Sequence, residues 1–235
     1  MPRSSREEWK TYKNVFDQAA LLILEKLRSQ GHFDELQSPI SIGKEANIFS
    51  AIKGDDLIIA KIYRVENCNF NQMYRYIAPD PRFAGLKKRR RLVIFSWVQR
   101  EYRNLLKARE VIRVPKPIAI KDNILLMEFI GRDGELAPKL KDAKPKHPQE
   151  FFEKTLKCIK ALYGAGLVHA DLSEFNILNF EEEPVFIDLS QTTTIEHPQA
   201  REFLERDTHN IVKFFKKLGV KADEKEAFDS IIKKK

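Results

Sequence analysis

From Leu167 to Asp188 the chain reads Leu-Val-His-Ala-Asp-Leu-Ser-Glu-Phe-Asn-Ile-Leu-Asn-Phe-Glu-Glu-Glu-Pro-Val-Phe-Ile-Asp, two short apolar runs around a polar loop. Leu167-Val168 and Val185-Phe186-Ile187 have the length and composition of buried strands, so the loop opening His169-Ala170-Asp171 is displayed on a rigid support. Asn176 follows Asp171 by five positions, and Asp188 follows Asn176 by twelve. A strand, an Asp-x-x-x-x-Asn loop and a second strand ending in Asp suit phosphoryl transfer from a nucleoside triphosphate. One carboxylate, Asp171, takes or orients the proton of an attacking hydroxyl. The amide oxygen of Asn176 and the carboxylate of Asp188 are hard donors that hold magnesium ions against the triphosphate. A polar hairpin loop with a capping Asp and a turn Asn would share the short pattern, so the parts upstream decide its weight.

Those parts begin with Ser41-Ile42-Gly43-Lys44-Glu45-Ala46-Asn47-Ile48-Phe49, which lies between two strand-like segments and reads as a hairpin lid. Small residues at Ser41 and Gly43 let backbone amides approach phosphate oxygens, and exposed amides in such a turn form an anion-binding concavity. The next strand, Leu57-Ile58-Ile59-Ala60-Lys61-Ile62-Tyr63, places a lysine among apolar residues. A buried ammonium needs an anion, and a phosphate together with a carboxylate would satisfy Lys61. Ile94, Trp97, Val98, Glu101 and Leu105 recur at spacings of three and four, so Glu101 points inward with an apolar helical stripe and is the candidate carboxylate. Asn123-Ile124-Leu125-Leu126-Met127-Glu128-Phe129-Ile130-Gly131 then reads as a strand running into a hinge. In a two-lobed kinase the backbone of Glu128 and Ile130 would meet the adenine edge, with Met127 behind the ring.

Taken in order, these segments resemble the protein kinase signature set in the form carried by the RIO family of atypical serine/threonine protein kinases. Ser-Ile-Gly-Lys-Glu-Ala-Asn is similar to the phosphate lid of its Rio-one branch. Leu-Val-His-Ala-Asp-Leu-Ser-Glu-Phe-Asn and Ile-Asp-Leu-Ser-Gln are similar to its catalytic and metal segments. Pro79-Asp80-Pro81-Arg82-Phe83 and Met127 to Gly134 also look like that branch, so the resemblance runs over residues 38–218. Two departures from ordinary protein kinases stand out: Ile-Asp-Leu replaces Asp-Phe-Gly, and no Ala-Pro-Glu follows. Only 47 residues (235 − 188) lie beyond Asp188, too few for an activation segment and peptide-binding helices.

The resemblance implies an α+β, two-lobed kinase-like fold with a small, mainly antiparallel β N-lobe and a truncated, mainly helical C-lobe. Residues 1–235 would form one RIO-type domain: an N-lobe over 1–127, a hinge at 128–133 and a C-lobe over 134–235. ATP would be held by Ser41, Gly43, Lys44, Glu45, Ala46, Asn47, Lys61, Met127, Glu128 and Ile130. Mg2+, with Mn2+ as a substitute, would lie on Asn176 and Asp188. Asp171 and Asp188 would be catalytic, with Glu101, His169 and Asp207 supporting. The resemblance further implies a transient phosphate on Asp188 with ATPase-like turnover, autophosphorylation, and work on the pre-ribosomal small subunit through ribosomal RNA or protein. Two other readings use the same residues. A small-molecule phosphotransferase of the aminoglycoside or choline kinase type shares the His-x-Asp-x-x-x-x-Asn loop, and a scaffold could bind nucleotide without turnover.

Hydrophobic residues make up 43% of the 235, a normal globular balance with room for a sizeable core. The net charge of +8 favours a polyanionic partner such as RNA, and Lys87-Lys88-Arg89-Arg90-Arg91 concentrates part of it, with Lys139 to Lys146 adding more. The longest apolar run, Ala19 to Leu24, is far short of a membrane span, and the first residues lack an apolar signal core, so a cytoplasmic location is expected. Cys68 and Cys158 are too few for a disulfide framework.

Periodicity predicts a helix over 6–30 with Trp9, Tyr12, Phe16, Ala19, Ile23 and Leu27 on one face. Strands are predicted near 40–42, 46–52 and 56–63. Residues 64–86 show no clear period and read as a mobile loop. A helical stripe from Phe151 to Tyr163 ends at Gly164-Ala165-Gly166. A last amphipathic helix carries Phe203, Asp207, Ile211, Phe214 and Leu218 on one face. Asp207, on the core side, is expected to accept backbone hydrogen bonds that brace the loop at Asp171, and His169 to pack rather than act as a base.

Overall fold

The computed structural model describes residues 18–66 and 68–233. Part of the helix predicted over 6–30, with Trp9, Tyr12 and Phe16, lies outside the described residues; the remainder is α1 (Gln18–Ser29). The chain divides into two compact units. One runs through Met73 and includes Lys87–Gln99 and Pro117–Phe129; the other comprises Tyr74–Leu86, Arg100–Lys116 and the chain from Ile130 onward.

The first unit is a five-stranded antiparallel sheet covered by α1. Its strands are β1 (Glu35–Ile42), β2 (Ala46–Lys53), β3 (Asp56–Tyr63), β4 (Pro117–Lys121) and β5 (Ile124–Glu128), in the spatial order β1-β2-β3-β5-β4. β2 alternates as a half-buried strand should, turning Asn47, Phe49 and Ala51 inward. β3, central in the sheet, is buried continuously from Ile58 to Tyr63. Pro39, which has no N–H for a ladder, sits in edge strand β1 at a register shift. Leu24, Leu27, Phe33, Phe49, Ile62 and Leu126 form the core of this unit, and each such side chain contributes roughly 1.5–3 kcal/mol on burial.

Residues 64–86 are not a structureless loop. They hold α2 (Phe70–Ile77) and a 3-10 turn, Pro81–Phe83. Met73 and Ile77 are buried, four apart on one helix face, and Asn69 Oδ1 accepts from Gln72 N–H at 3.2 Å to cap the first turn. Eight residues are too few for that period to stand out against Tyr and Arg neighbours. α3 (Arg90–Ala108) follows, and Arg90 ties its start to the preceding segment by donating to the carbonyls of Val65 and Glu66 and lying 4.8 Å from the Phe70 ring centre.

The second unit carries the hairpin β6 (Gly131–Arg132) and β7 (Glu135–Leu136), then α4 (Pro148–Gly164), β8 (Leu167–Val168), β9 (Ile177–Phe180), β10 (Glu183–Phe186), β11 (Thr193–Thr194) and α5 (Ala200–Lys217). Phe151 and Phe152 of α4 pack on Phe215 of α5 with ring centres 6.1 and 5.3 Å apart. The chain does not end its regular structure with α5. A further helix, α6 (Glu224–Ile232), is capped by Asp223 Oδ1 accepting from Glu226 N–H at 2.9 Å, and buries Ala227 and Ile231. Cys68 and Cys158 are free thiols. No helix among the described residues is long and apolar enough to cross a membrane.

Candidate active site

The first unit holds the lid, the lysine and the strand that leads to the hinge. The β1–β2 turn closes on itself when Gly43 N–H donates to Ala46 O at 3.0 Å. A Cβ on Gly43 would stand 2.8 Å from that same carbonyl, so the turn requires glycine. Its N–H is spent inside the turn, leaving the exposed Lys44 and Glu45 at the tip. Arg64 Nη1 donates to Gly43 O at 3.4 Å and Arg64 N–H to Glu45 O at 2.9 Å, fixing the tip to the end of β3. Ser41 is exposed and Asn47 buried. Lys61 pairs in register with Ile48 on one side and Leu125 on the other; it is only 5% exposed, and its ammonium lies 5.1 Å from the Tyr63 ring centre. Met127 and Glu128 pair with Ile59 and Ile58 at the end of β5. Ile130 and Glu101 fall in the second unit. Ile130 is buried, and its carbonyl accepts from Ala137 N–H at 2.9 Å. Glu101, on α3, is 1% exposed.

The second unit brings together His169, Asp171, Asn176, Asp188 and Asp207. β9 and β10 pair from Phe186↔Ile177 to Glu183↔Phe180, and Ile187 N–H donates to Asn176 O at 3.0 Å, so the residue before Asp188 is bonded to the end of the Asp171 loop. Asn176 Nδ2 donates to Asp171 O at 2.8 Å and lies 3.4 Å from Asp171 Oδ2. With the amide nitrogen turned toward Asp171, Oδ1 is the atom Asn176 can offer to a cation. Ala170 and Asp188 both take left-handed backbone angles, φ 66 and 58, which cost a non-glycine residue about 1–2 kcal/mol each. Neighbours hold Ala170 there. Asp207 accepts from Ala170 N–H with Oδ2 and from Leu172 N–H with Oδ1, both at 2.8 Å, Arg206 Nη2 donates to Ala170 O, and Asn210 Nδ2 donates to Leu172 O at 3.1 Å. Burial pushes Asp207 up to about 7, against those two N–H donors and the Arg206 charge. Burial likewise lowers His169 to about 4. Its Nε2 bonds Ile187 O at 3.1 Å and its ring edge meets Phe186 at 6.1 Å, so the neutral imidazole packs between loop and strand.

Beyond Asp188 the structure supplies residues that sequence reasoning missed. Gln191 Nε2 donates to Asp171 Oδ2 at 3.0 Å. The backbone that carries Gln191 is bolted down by buried side chains. Arg100 Nη2 donates to Gln191 O at 2.6 Å and Nε to Thr192 O at 3.1 Å. Asn104 Nδ2 bonds Leu189 O and Thr192 O at 2.9 and 2.7 Å. Arg100 is wholly buried, and its counter-ion is Asp80 at 3.6 Å, also wholly buried. Arg82 grips Asp80 with Nη2 at 2.7 Å and donates Nη1 to Asn104 Oδ1 at 2.7 Å. Burial works to raise Asp80, but the hydrogen bonds and charges of Arg82, with Arg100, hold it below the usual carboxylate range. Burial depresses Arg100 to about 10 despite Asp80. Neither Arg100 nor Gln191 left a signal in the sequence: the charge on the apolar stripe of that helix is Glu101, and spacing does not say where an amide points.

A family model described as RIO domain matches residues 47–228. The RIO-type serine/threonine-protein kinase Rio1 of Haloferax volcanii is 42% identical over 219 residues, covering 92% of this chain and 76% of its own. The chain belongs to the RIO family. The RIO-type serine/threonine-protein kinase Rio1 of Methanocaldococcus jannaschii is 42% identical over 97% of this chain and 79% of its own. The serine/threonine-protein kinase RIO1 of Caenorhabditis elegans is 36% identical over 92% of this chain but only 44% of its own. Among solved RIO structures, the Rio2 kinase-ADP/Mg2+-phosphoaspartate complex from Chaetomium thermophilum superposes with a TM-score of 0.70 at 22% identity. It covers 89% of this chain, which spans 65% of that one. At that identity the likeness bears on the fold, which is the α+β kinase-like fold expected from the sequence.

Proposed function

We infer that this RIO chain is an ATP-dependent serine/threonine protein kinase that transfers the γ-phosphoryl group of Mg-ATP. The observation that carries the reading is the loop in which Asp171 Oδ2 accepts from Gln191 while Asn176 bonds the Asp171 carbonyl, since phosphoryl transfer depends on placement and charge more than on covalent chemistry. Asp171 would align the acceptor hydroxyl and take its proton. Lys61 would bind phosphate oxygens with the lid residues Ser41, Gly43, Lys44, Glu45, Ala46 and Asn47, and Glu101 would orient Lys61. Glu128 O and Ile130 N–H would meet the adenine edge, with Met127 behind it. Asn176 Oδ1 and the Asp188 carboxylate would hold Mg2+ or Mn2+. Such an ion is usually held by one or two carboxylates plus the substrate phosphates. When bound, Mg2+ neutralises the triphosphate and lowers the barrier to attack on its terminal phosphorus.

In the absence of a protein acceptor, an Asp188 carboxylate oxygen would attack the γ-phosphorus as ADP leaves, and water would then hydrolyse the acyl phosphate to give ATPase turnover. Autophosphorylation is a second outlet. The physiological setting we propose is cytoplasmic maturation of the small ribosomal subunit, with basic residues such as Lys87, Arg89 and Arg91 facing ribosomal RNA or protein. Asp171→Ala is expected to abolish transfer of the labelled γ-phosphate while calorimetry still detects ATP binding. Unchanged transfer would refute the role given to Asp171, and no heat on adding ATP to the unmodified protein would refute the reading as a whole.

A further inference from the structure

Within the second unit, a cavity of about 350 Å3 is lined by Arg75 and Tyr76 from the end of α2 and by Gln199, Glu202, Phe203 and Arg206 from the start of α5. None of these residues belongs to the groups assigned above to ATP or metal. The Arg206 guanidinium that lines it also donates to the carbonyl of Ala170, and a single Cα step of about 3.8 Å separates Ala170 from Asp171.

The lining selects its occupant. Two arginines and one carboxylate, Glu202, line it, and that carboxylate is engaged by Gln199 Nε2 at 3.2 Å. Arg206 is oriented before any ligand arrives: its guanidinium carbon stands 5.1 Å from the centre of the Phe203 ring. A planar fork so held keeps further N–H groups for a bidentate partner. The aromatic residues are engaged with one another: Tyr76 stacks on Phe203 with centres 5.7 Å apart, and His197 lies 5.4 Å from Phe203. A net charge of one positive unit among the lining residues suits a single carboxylate better than a polyphosphate or an RNA backbone.

We propose that this cavity is a specificity site for the protein acceptor and takes an Asp or Glu side chain near the accepting serine. An extended chain advances about 3.3 Å per residue, so an acceptor whose hydroxyl meets Asp171 reaches the cavity roughly two to four positions away. The proposal rests on the kinase reading of Asp171 and deepens it by naming what the acceptor carries.

Two peptides test it, each with one serine in a neutral background and either Glu or Lys three positions from that serine. The unmodified protein is expected to show kcat/KM at least tenfold higher for the Glu peptide. Arg75→Glu, at an exposed residue outside the catalytic groups, is expected to erase or reverse that preference while leaving peptide-independent ATP turnover unchanged. Equal kcat/KM for the two peptides, or a Glu preference that survives Arg75→Glu, overturns the proposal. Binding is read separately from turnover by the side-chain Nε–H resonances of Arg75 and Arg206. Shifts with the Glu peptide but no phosphorylation keep the acidic-residue site and remove the kinase reading; no shifts remove the site. Shifts with hexauridylate and none with the peptide overturn the choice of occupant.

Discussion

Replacing Asp80 by Asn keeps the shape of a buried side chain and deletes the charge opposite Arg100. Both side chains are wholly buried, with Arg100 Nε 3.6 Å from Asp80 Oδ2. At that separation, with an effective dielectric constant near 20, the Coulomb attraction is about 5 kcal/mol. Burial depresses Arg100 from 12.5 to about 10 even with Asp80 present, so the cation is left worse off when Asp80 goes. The attraction agrees with the ~3–5 kcal/mol lost when one partner of a buried pair is removed. Asp80→Asn should therefore destabilise the protein by about 4 kcal/mol in urea unfolding followed by circular dichroism. Arg100→Met in the same background should recover about half of that, because the stranded charge goes with it. The double-mutant cycle should give a coupling above about 2 kcal/mol. A loss below about 1 kcal/mol for Asp80→Asn, or single losses that simply add, would show that the pair does not hold the segment at Gln191.

Gln191→Ala removes the 3.0 Å donor to Asp171, a charge-assisted bond worth about 1.5–3 kcal/mol, and should lower kcat by about 10–100-fold with little change in the ATP dissociation constant measured by calorimetry. Asp207→Ala strands the N–H groups of Ala170 and Leu172 and should cost about 2–4 kcal/mol in thermal unfolding and at least 100-fold in kcat, with Asp207→Asn recovering part of both; kcat within threefold of the unmodified protein would disprove the bracing role. The fold lowers His169 from 6.5 to about 4, so it binds fewer protons than the unfolded chain between those values, and stability should fall by up to ~3 kcal/mol as pH drops from 6.5 to about 4. In His169→Phe that part of the acid loss should disappear, which urea midpoints at pH 7 and pH 4.5 would read.

What the sequence disclosed and what it hid divide along range of interaction. β2 and β3 alternate or run apolar over eight residues each, and the stripe from Ile94 to Leu105 fills three turns of α3, so neighbours in sequence carried the signal. The Asp171 loop was legible because its groups sit within one strand-loop-strand unit. α2 is too short to show a period. α6 did leave a mark, with Asp223 followed three positions later by Glu226, a helix-start pattern. The network at Arg100 left none, since its partners stand far apart along the chain: Asn104 and Leu189 by 85 residues, Asp80 and Thr193 by 113. No window of sequence contains both ends of such a bond.

The same network holds the backbone from Leu189 to Thr192, which carries the Gln191 amide to Asp171. Its carbonyls accept from Arg100, Asn104 and Arg82, and Thr192 Oγ1 donates back to His169 O at 3.2 Å. The anion that balances Arg100 is Asp80, a residue of the fold rather than a phosphate that must be added. Arg100 also donates Nη1 to Tyr76 O at 3.3 Å, so one buried cation fixes both the strand end beside Asp171 and the helix end that forms part of the acidic-residue cavity. Loss of Asp80 should then disturb two readouts together, kcat and the preference for the Glu peptide, whereas loss of Gln191 should disturb only kcat. Measuring both constants in both variants separates a bolt that holds two surfaces from a contact that serves one.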